Sequence, residues 1–468
     1  MFIRLIIVKK INLARTAITT AATLTLLGTT APMPALADDT PTAPPAVTTG
    51  ALFNDPTSTD KAQRNAIHDH LVRLTDGAVP GSTIEISTFL FYSPTLSQHL
   101  VAAHLRGVHV QVLLDGKYAN DTNLAYTTLA TGLANKPADS GNSWVRVCDA
   151  EKACLAQDPE PNSSYQQVNH NKFYLFSQTT GSATATTVVR NVVVQSSSNM
   201  TSNDFNKFWN DALTVTENAE LYEGYDAYFQ EQVAAQAGFK PRLSDVLMDK
   251  QAGRAKAYFF PRATTGPGGG PNDVILNILN TVDNPVPGSQ VCHGNDAGYG
   301  LEGRTVIRIA MGGFNRPEVA KKLAELDQAG CYVDLVYGSL AGDGEAEAIL
   351  KTSKPPYNGV AMHELQATPE GTGTTSHTKY LLIEGTYNGK KNQKIVFTGS
   401  HTYTNYALIG NDEALLKWDD SNSDPTQTTV FDAYRENFRT QRAVADAQSA
   451  QPYPPRVCTV NGGSSTRK

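Results

Sequence analysis

Apolar and polar positions alternate through Thr83-Ile84-Glu85-Ile86-Ser87-Thr88-Phe89-Leu90, as in a β-strand. A helix-like segment ending in His104-Leu105-Arg106-Gly107 leads into the apolar run Val108 to Leu114, closed by Asp115-Gly116. Two further apolar runs, through Phe173 to Phe176 and Val192 to Val194, precede a helix carrying Tyr225-Asp226-Ala227-Tyr228. The same series then recurs: Arg304 to Ala310, a helix-like Leu323 to Gly330, Tyr332 to Val336, Tyr380 to Ile383, Ile395 to Phe397, and Phe431-Asp432-Ala433-Tyr434. The recurrence of these landmarks in one order indicates internal duplication. The pattern predicts an α/β protein of two similar halves. Each half is expected to be a central mixed β-sheet flanked by helices, the two packing with pseudo-two-fold symmetry around a shared site. The predicted halves are residues 50–250 and 272–450, joined by a linker over 251–271 and followed by a tail over 451–468. Pro261 to Pro271, with Gly266, Gly268, Gly269 and Gly270, carries the linker signal.

The repeat is anchored by a distinctive pair. Val168-Asn169-His170-Asn171-Lys172 and Thr375-Ser376-His377-Thr378-Lys379 each place His-x-Lys at the head of an apolar run. Each is followed by a run ending in small hydroxyl residues, Gln195-Ser196-Ser197-Ser198-Asn199 and Thr398-Gly399-Ser400-His401-Thr402. In a strand, residues i and i+2 project to one face, so His170 and Lys172 point together, as do His377 and Lys379. Lysine supplies positive charge to phosphate oxygens, and imidazole serves as nucleophile or acid. Two facing half-sites place histidines on opposite sides of one phosphorus, the arrangement needed for in-line displacement.

Composition refines this picture. Arg4, Lys9, Lys10 and Arg15, an apolar Thr-rich stretch and Ala35-Leu36-Ala37 resemble a secretory signal peptide over residues 1–37, cleaved near Ala37, so the protein is expected to be secreted. A Pro/Thr/Ala-rich lead-in over 38–49 is expected to be disordered. Cleavage removes four basic residues and no acidic one, taking the net charge from −6 to about −10. That balance speaks against a nucleic-acid surface. Five cysteines in a secreted chain suggest two disulfides and one left over. Cys148 with Cys154 and Cys292 with Cys331 are the expected pairs, leaving Cys458. The first half carries about 15 extra residues before His170, expected to be a disulfide-stapled surface insertion.

The chain resembles the phospholipase D superfamily, whose members carry two H-x-K-x4-D motifs, each followed by a G-S-x-N element. The resemblance runs from about Ile84 to Tyr434. It implies that His170 is the nucleophile of a phosphohistidine intermediate and His377 the acid and base, with Lys172, Lys379, Ser197, Asn199 and Ser400 on the phosphate oxygens. The family's aspartate is replaced by Ser177 and Glu384, and Ser196 and Thr402 depart from the second element. The tyrosyl-DNA phosphodiesterase branch lacks that aspartate too. Asn210-Asp211 and Asn411-Asp412-Glu413 follow in the two halves, and Asp211 and Glu413 are expected to orient the histidines.

The remaining histidines and aromatics weigh differently. His68, His70, His99 and His104 lie in helical stretches as packing or surface residues, and His363 reads as a surface residue. His401 has equal claims on facing the phosphate or not. Trp209, Tyr403 and Tyr406 read as core before they read as substrate walls. The chain has no C-x-x-C, H-E-x-x-H or EF-hand motif, and the resemblance implies no metal or other cofactor. The leading expectation is a phospholipase D-type phosphodiesterase acting on phospholipid at a membrane surface, as a monomer with no obligate protein partner. A nuclease on the same fold and a catalytically degenerate lipid-binding homologue are the alternatives.

Overall fold

The computed structural model describes residues 47–135, 142–150, 152–156, 167–239, 248–262, 272–282, 290–340, 344–352, 359–366, 373–424 and 426–449, and the backbone of 458–460 and 463–465. The expected signal peptide and most of the expected lead-in lie outside these residues.

In chain order the first sheet comprises β1 (Gly50–Phe53), β2 (Thr83–Thr88), β3 (His109–Leu114), β4 (Trp144–Val147), β5 (Lys172–Thr179), β6 (Val189–Ser196) and, after the short β7 (Phe208–Trp209), β8 (Asp211–Val215). Its spatial order is β1-β8-β6-β5-β2-β3-β4. The second sheet uses β9 (Asp249–Ala252), β10 (Ala255–Phe260), β11 (Val306–Met311), β12 (Tyr332–Tyr337) and β13 (Ala361–Glu364). After the short β14 (Thr375–Ser376) it adds β15 (Lys379–Tyr387), β16 (Lys390–Gly399) and β17 (Glu413–Asp419). Its order, β13-β12-β11-β15-β16-β17-β10-β9, repeats the first with one extra edge strand. Both sheets are mixed: β2–β3–β4 and β11–β12–β13 run parallel, while the β2–β5 and β11–β15 junctions are antiparallel. The predicted fold class is the observed one.

Strand periodicity explains the layering. Along β5, Phe173 and Leu175 face one way and Tyr174 and Phe176 the other. The first pair joins a central core with Tyr225, Tyr228 and Phe229 of the helix Ala219–Gln236, and the second joins Leu71, Leu100 and Leu129 on the outer face. Along β15, Tyr380 and Leu382 enter that same central core with Tyr434 and Phe438 of the helix Val430–Gln448, while Leu381 and Ile383 pack outward on Leu279 and Leu323. Both long helices therefore lie in a core shared by the two sheets. Glu384, at the family's aspartate position, is buried and paired with Arg308 on β11 (2.8 Å) and Arg435 on the helix (3.3 Å), which fastens that helix to its sheet. Ser177, its counterpart, accepts the Thr83 N–H at 2.8 Å.

Two expectations need correction. Residues 251–260 are not linker, because β9 and β10 complete the edge of the second sheet, with β10 antiparallel to β17 as β1 is to β8. The apolar run Tyr258-Phe259-Phe260 is the strand signal that the neighbouring Pro/Gly-rich stretch obscured. Residues 263–271 lie outside the described part. Within the expected tail, Cys458–Val460 and Gly463–Ser465 pair as a small antiparallel hairpin.

The insertion is also not superficial. The disulfides are Cys148–Cys154 and Cys292–Cys331, as expected. Yet Cys148, Ala153, Cys154, Leu155 and Ala156 are buried. The Leu155 and Ala156 N–H groups donate to the Asp412 carboxyl (3.0 and 2.9 Å), which also accepts from Gln232 Nε2 at 3.0 Å. Burial raises the Asp412 pKa to about 6 against these hydrogen bonds. A carboxyl of the second half thus seats a loop of the first.

Asp412→Ala would remove the shared acceptor of the Leu155 and Ala156 N–H groups and of Gln232 Nε2. It is expected to cost about 2–4 kcal/mol in urea unfolding, whereas a loss below about 0.5 kcal/mol would mean that the loop is held by other contacts.

Candidate active site

Each motif histidine is held by the opposite half of the molecule. His170 donates its backbone N–H to the Asp412 carbonyl at 2.9 Å, and its Nδ1 lies 2.8 Å from Glu413 Oε1. His377 donates its N–H to the Trp209 carbonyl at 2.9 Å, and its Nδ1 lies 2.8 Å from Asn210 Oδ1. The supporting backbone is two short parallel pairings, Asn169 with Asp412 and β14 with β7. The motif lysines open β5 and β15, and each ammonium donates to the carbonyl of its own histidine, Lys172 to His170 at 2.6 Å and Lys379 to His377 at 2.5 Å. Phe89 lies beside His170 (centroids 5.3 Å apart) and Phe208 stacks on His377 (5.3 Å), walling the two imidazoles.

Electrostatics tie the four groups into one centre. Burial, then Lys172 and Lys379, hold the His170 imidazole well below its ordinary pKa. Burial, then Lys379, Lys172 and His170, do the same for His377. Burial lowers Lys172 to about 7 and Lys379 to about 8, opposed by Glu413 and Asp204. The same burial raises Glu413 to about 8 and Asp204 to about 6. Ammonium groups short of water favour an incoming anion, and a phosphate oxygen is well matched to them.

The orienting groups differ between the halves. Glu413 faces His170 as expected, with burial pushing the carboxyl up and holding the imidazole down. Asp211 does not face His377. Its carboxyl accepts from Thr398 and from the Tyr434 hydroxyl (2.9 Å), a buried bond between the halves. The sheet register explains the correction. The Ser197 N–H pairs with the Asp211 carbonyl and the Ser400 N–H with that of Ala414, so Asn210, not Asp211, is the counterpart of Glu413. Asn210 Oδ1 accepts from Ser197 Oγ (3.1 Å), and its amide donates to the Asp204 carbonyl (3.2 Å). That network turns Oδ1 toward His377, so Nδ1 carries the proton and Nε2 is left for chemistry. Asp204 Oδ1, 3.6 Å from His377 Nδ1, is a further carboxyl that matching short motifs does not find.

The hydroxyl element also reads differently. Ser197 Oγ accepts the Asp211 N–H (2.9 Å) as it donates to Asn210, and Ser400 Oγ accepts the Ala414 N–H (3.1 Å). Asn199 is buried, donating to Asp204 (3.4 Å) and accepting from the Leu90 N–H (3.4 Å). All three hydrogen-bond within the site's framework. His401 is fully buried against Phe260 (4.3 Å), with neither ring nitrogen hydrogen-bonded. His363 is no surface residue: it is buried between Asp334 (3.2 Å) and Asp446 (2.5 Å). Trp209 and Tyr403 are core, while Tyr406 is partly exposed.

Two His-x-Lys motifs, each imidazole oriented by the other half, define a duplicated phosphodiester-acting centre. The chain belongs to the phospholipase D superfamily: the family model described as "Cardiolipin synthase, PLD-like domain" matches residues 75–233 and 302–441, more than half of the chain. No curated protein matches it by sequence. Among solved structures it is similar to polyphosphate kinase from Porphyromonas gingivalis (13% identity, TM-score 0.46, covering 85% of this chain and 50% of that one), so it spans half of that protein's length. It is similar to phosphatidylserine synthase from Haemophilus influenzae (12% identity, TM-score 0.47, covering 84% and 86%). Nuc from Salmonella typhimurium, a phospholipase D family member, aligns 95% of its length with 40% of this chain (17% identity, TM-score 0.27).

Asn210→Ala is expected to lower kcat by about 10²-fold or more, as loss of a histidine-orienting group does, and Asp211→Asn by far less; equal losses would refute the register. Because the lysine pKa values are depressed, phosphate-attracting charge is lost as pH rises through about 7 to 8. A kcat/KM profile should therefore fall on its alkaline side in that window, and Lys172→Arg should move the fall upward.

Proposed function

We propose that this protein is a secreted phosphodiesterase of the phospholipase D type that removes the head group from phospholipid at a membrane surface, as a monomer. The observation that carries the reading is the unequal orientation of the two histidines. When imidazole Nε2 attacks phosphorus, the P–N bond forms, the P–O bond to the leaving alcohol breaks, and the ring becomes cationic. A buried carboxyl at Nδ1 stabilises that cation better than an amide does. His170, facing Glu413, is therefore assigned as nucleophile. His377, whose Nδ1–H faces Asn210, takes up a second proton on Nε2 as the anionic phosphodiester binds, gives it to the leaving alcohol, then takes one from the water that attacks phosphorus as the P–N bond breaks. An acceptor alcohol in place of water gives transfer of the phosphatidyl group.

Lysines 172 and 379 flank both rings, and the charge they lend to equatorial oxygens grows in value as the phosphorus becomes five-coordinate. The acidic balance of the chain (net −6) favours a lipid over a polyanionic nucleic-acid substrate.

Choline release from phosphatidylcholine in EDTA, measured beside plasmid nicking, tests the reading. Turnover that falls by about 10³-fold or more in His170→Ala is expected, whereas nicking with inert lipid would replace lipid by nucleic acid as substrate.

A further inference from the structure

Among the described residues, the large hydrophobic side chains that remain exposed are Tyr92, Leu105, Leu124, Phe239 and Tyr406. Tyr92 and Leu124 are not scattered. Tyr92 (42% exposed) ends the turn after β2, and Leu124 (64% exposed) opens the helix Leu124–Ala134 after β3. Both follow strand ends at the level of His170, because β5, which Lys172 opens, runs antiparallel to β2. Phe89 beside His170 is followed outward by Tyr118 (6.0 Å, 71° between rings), and Tyr118 by Tyr92 (6.3 Å, 58°). The rings form a continuous apolar wall from the catalytic imidazole to solvent.

This rim is held in place. Asn123 donates to the carbonyls of Phe91 (3.0 Å) and Tyr118 (3.1 Å), joining the two loops. Met200 pairs with the turn through Tyr92 N–H (2.9 Å) and Leu90 carbonyl (3.0 Å), and Asn199 accepts from the Leu90 N–H. Exposed apolar groups on a fixed frame, beside a catalytic centre, mark an interaction surface. The other half does not repeat it: bridges Phe91–Met200 and Phe314–Tyr403 are equivalent, which puts Asn315 where the first half has Tyr92.

We infer that the Tyr92–Tyr118–Leu124 rim is the surface by which the protein docks on a zwitterionic phospholipid interface, delivering the lipid phosphate to His170. The inference rests on the proposed lipid substrate. Charge selects this occupant. Residues 89–92 carry no charge, residues 117–124 carry only Lys117 and Asp121, and the chain is net negative at −6. An anionic membrane would be drawn by basic clusters and a nucleic acid by a basic stripe, neither of which this rim supplies. Tyrosine and leucine inserted at the headgroup level need no charge.

The test compares the full chain with Tyr92→Ser/Leu124→Ser and, as control, Phe239→Ser, a side chain 68% exposed elsewhere. Each is assayed on vesicles of long-chain phosphatidylcholine and on monomeric short-chain phosphatidylcholine, with vesicle co-sedimentation in parallel. The double variant is expected to lose about tenfold or more in vesicle turnover and co-sedimentation, with short-chain turnover within about twofold and Phe239→Ser unchanged throughout. Wild-type co-sedimentation should not depend on salt or on added anionic lipid. Unchanged vesicle binding in the double variant, equal loss on both substrates, or wild-type binding only to anionic vesicles or to nucleic acid would each overturn the inference. If the wild type hydrolyses neither lipid, the proposed activity fails, and co-sedimentation of wild type against double variant still decides the docking surface.

Discussion

The active centre depends on one constraint: neither half of the molecule can orient its own histidine. His170 reaches Glu413 and His377 reaches Asn210, each at 2.8 Å, and each histidine backbone is tied to the strand that supplies its partner. The geometry at phosphorus is therefore only as good as the packing between halves. The shared core with the two long helices, the Asp211–Tyr434 bond and the Asp412-seated loop all serve that packing. Catalytic groups supported on rigid elements by buried hydrogen bonds are held tightly enough for in-line chemistry.

Burial supplies the second half of the design. Two ammonium groups, two imidazoles and two carboxyls share a largely buried region, where charge is expensive unless it is matched. The result is a set of groups whose proton affinities converge on the neutral range: Lys172 about 7, Lys379 about 8, Glu413 about 8 and Asp204 about 6. A phosphodiester brings the missing negative charge, so binding and protonation of the site are coupled. Pseudo-symmetry is broken where the roles must differ, with a carboxyl behind one imidazole and an amide behind the other.

Much of this was legible in the sequence, for physical reasons. Strand alternation and repeated order revealed the duplicated α/β architecture, and the His-x-Lys pairs and Glu413 followed from their place in the repeat. Both disulfides were legible too. Asn210 was not, because its equivalence to Glu413 is a fact of hydrogen-bond register, whereas letter-matching aligned Asn210 with Asn411 and promoted Asp211. The hydrogen bonds of Ser197 and Ser400 to the strand beside them were not legible either, because motif spacing carries no information on which partners an oxygen already has. The insertion around Cys148 and Cys154 looked superficial because its partner, Asp412, lies in the other half.

In the proposed mechanism one phosphorus is served by both halves, with His170 as the attacking group. The direct test is to quench turnover of a radiolabelled phosphodiester rapidly under denaturing conditions and map the labelled peptide. Label is expected on the peptide bearing His170, and none in His170→Ala. Label on His377, or turnover that proceeds with no protein-bound label in the wild type or in a slowed His377→Ala variant, would contradict it.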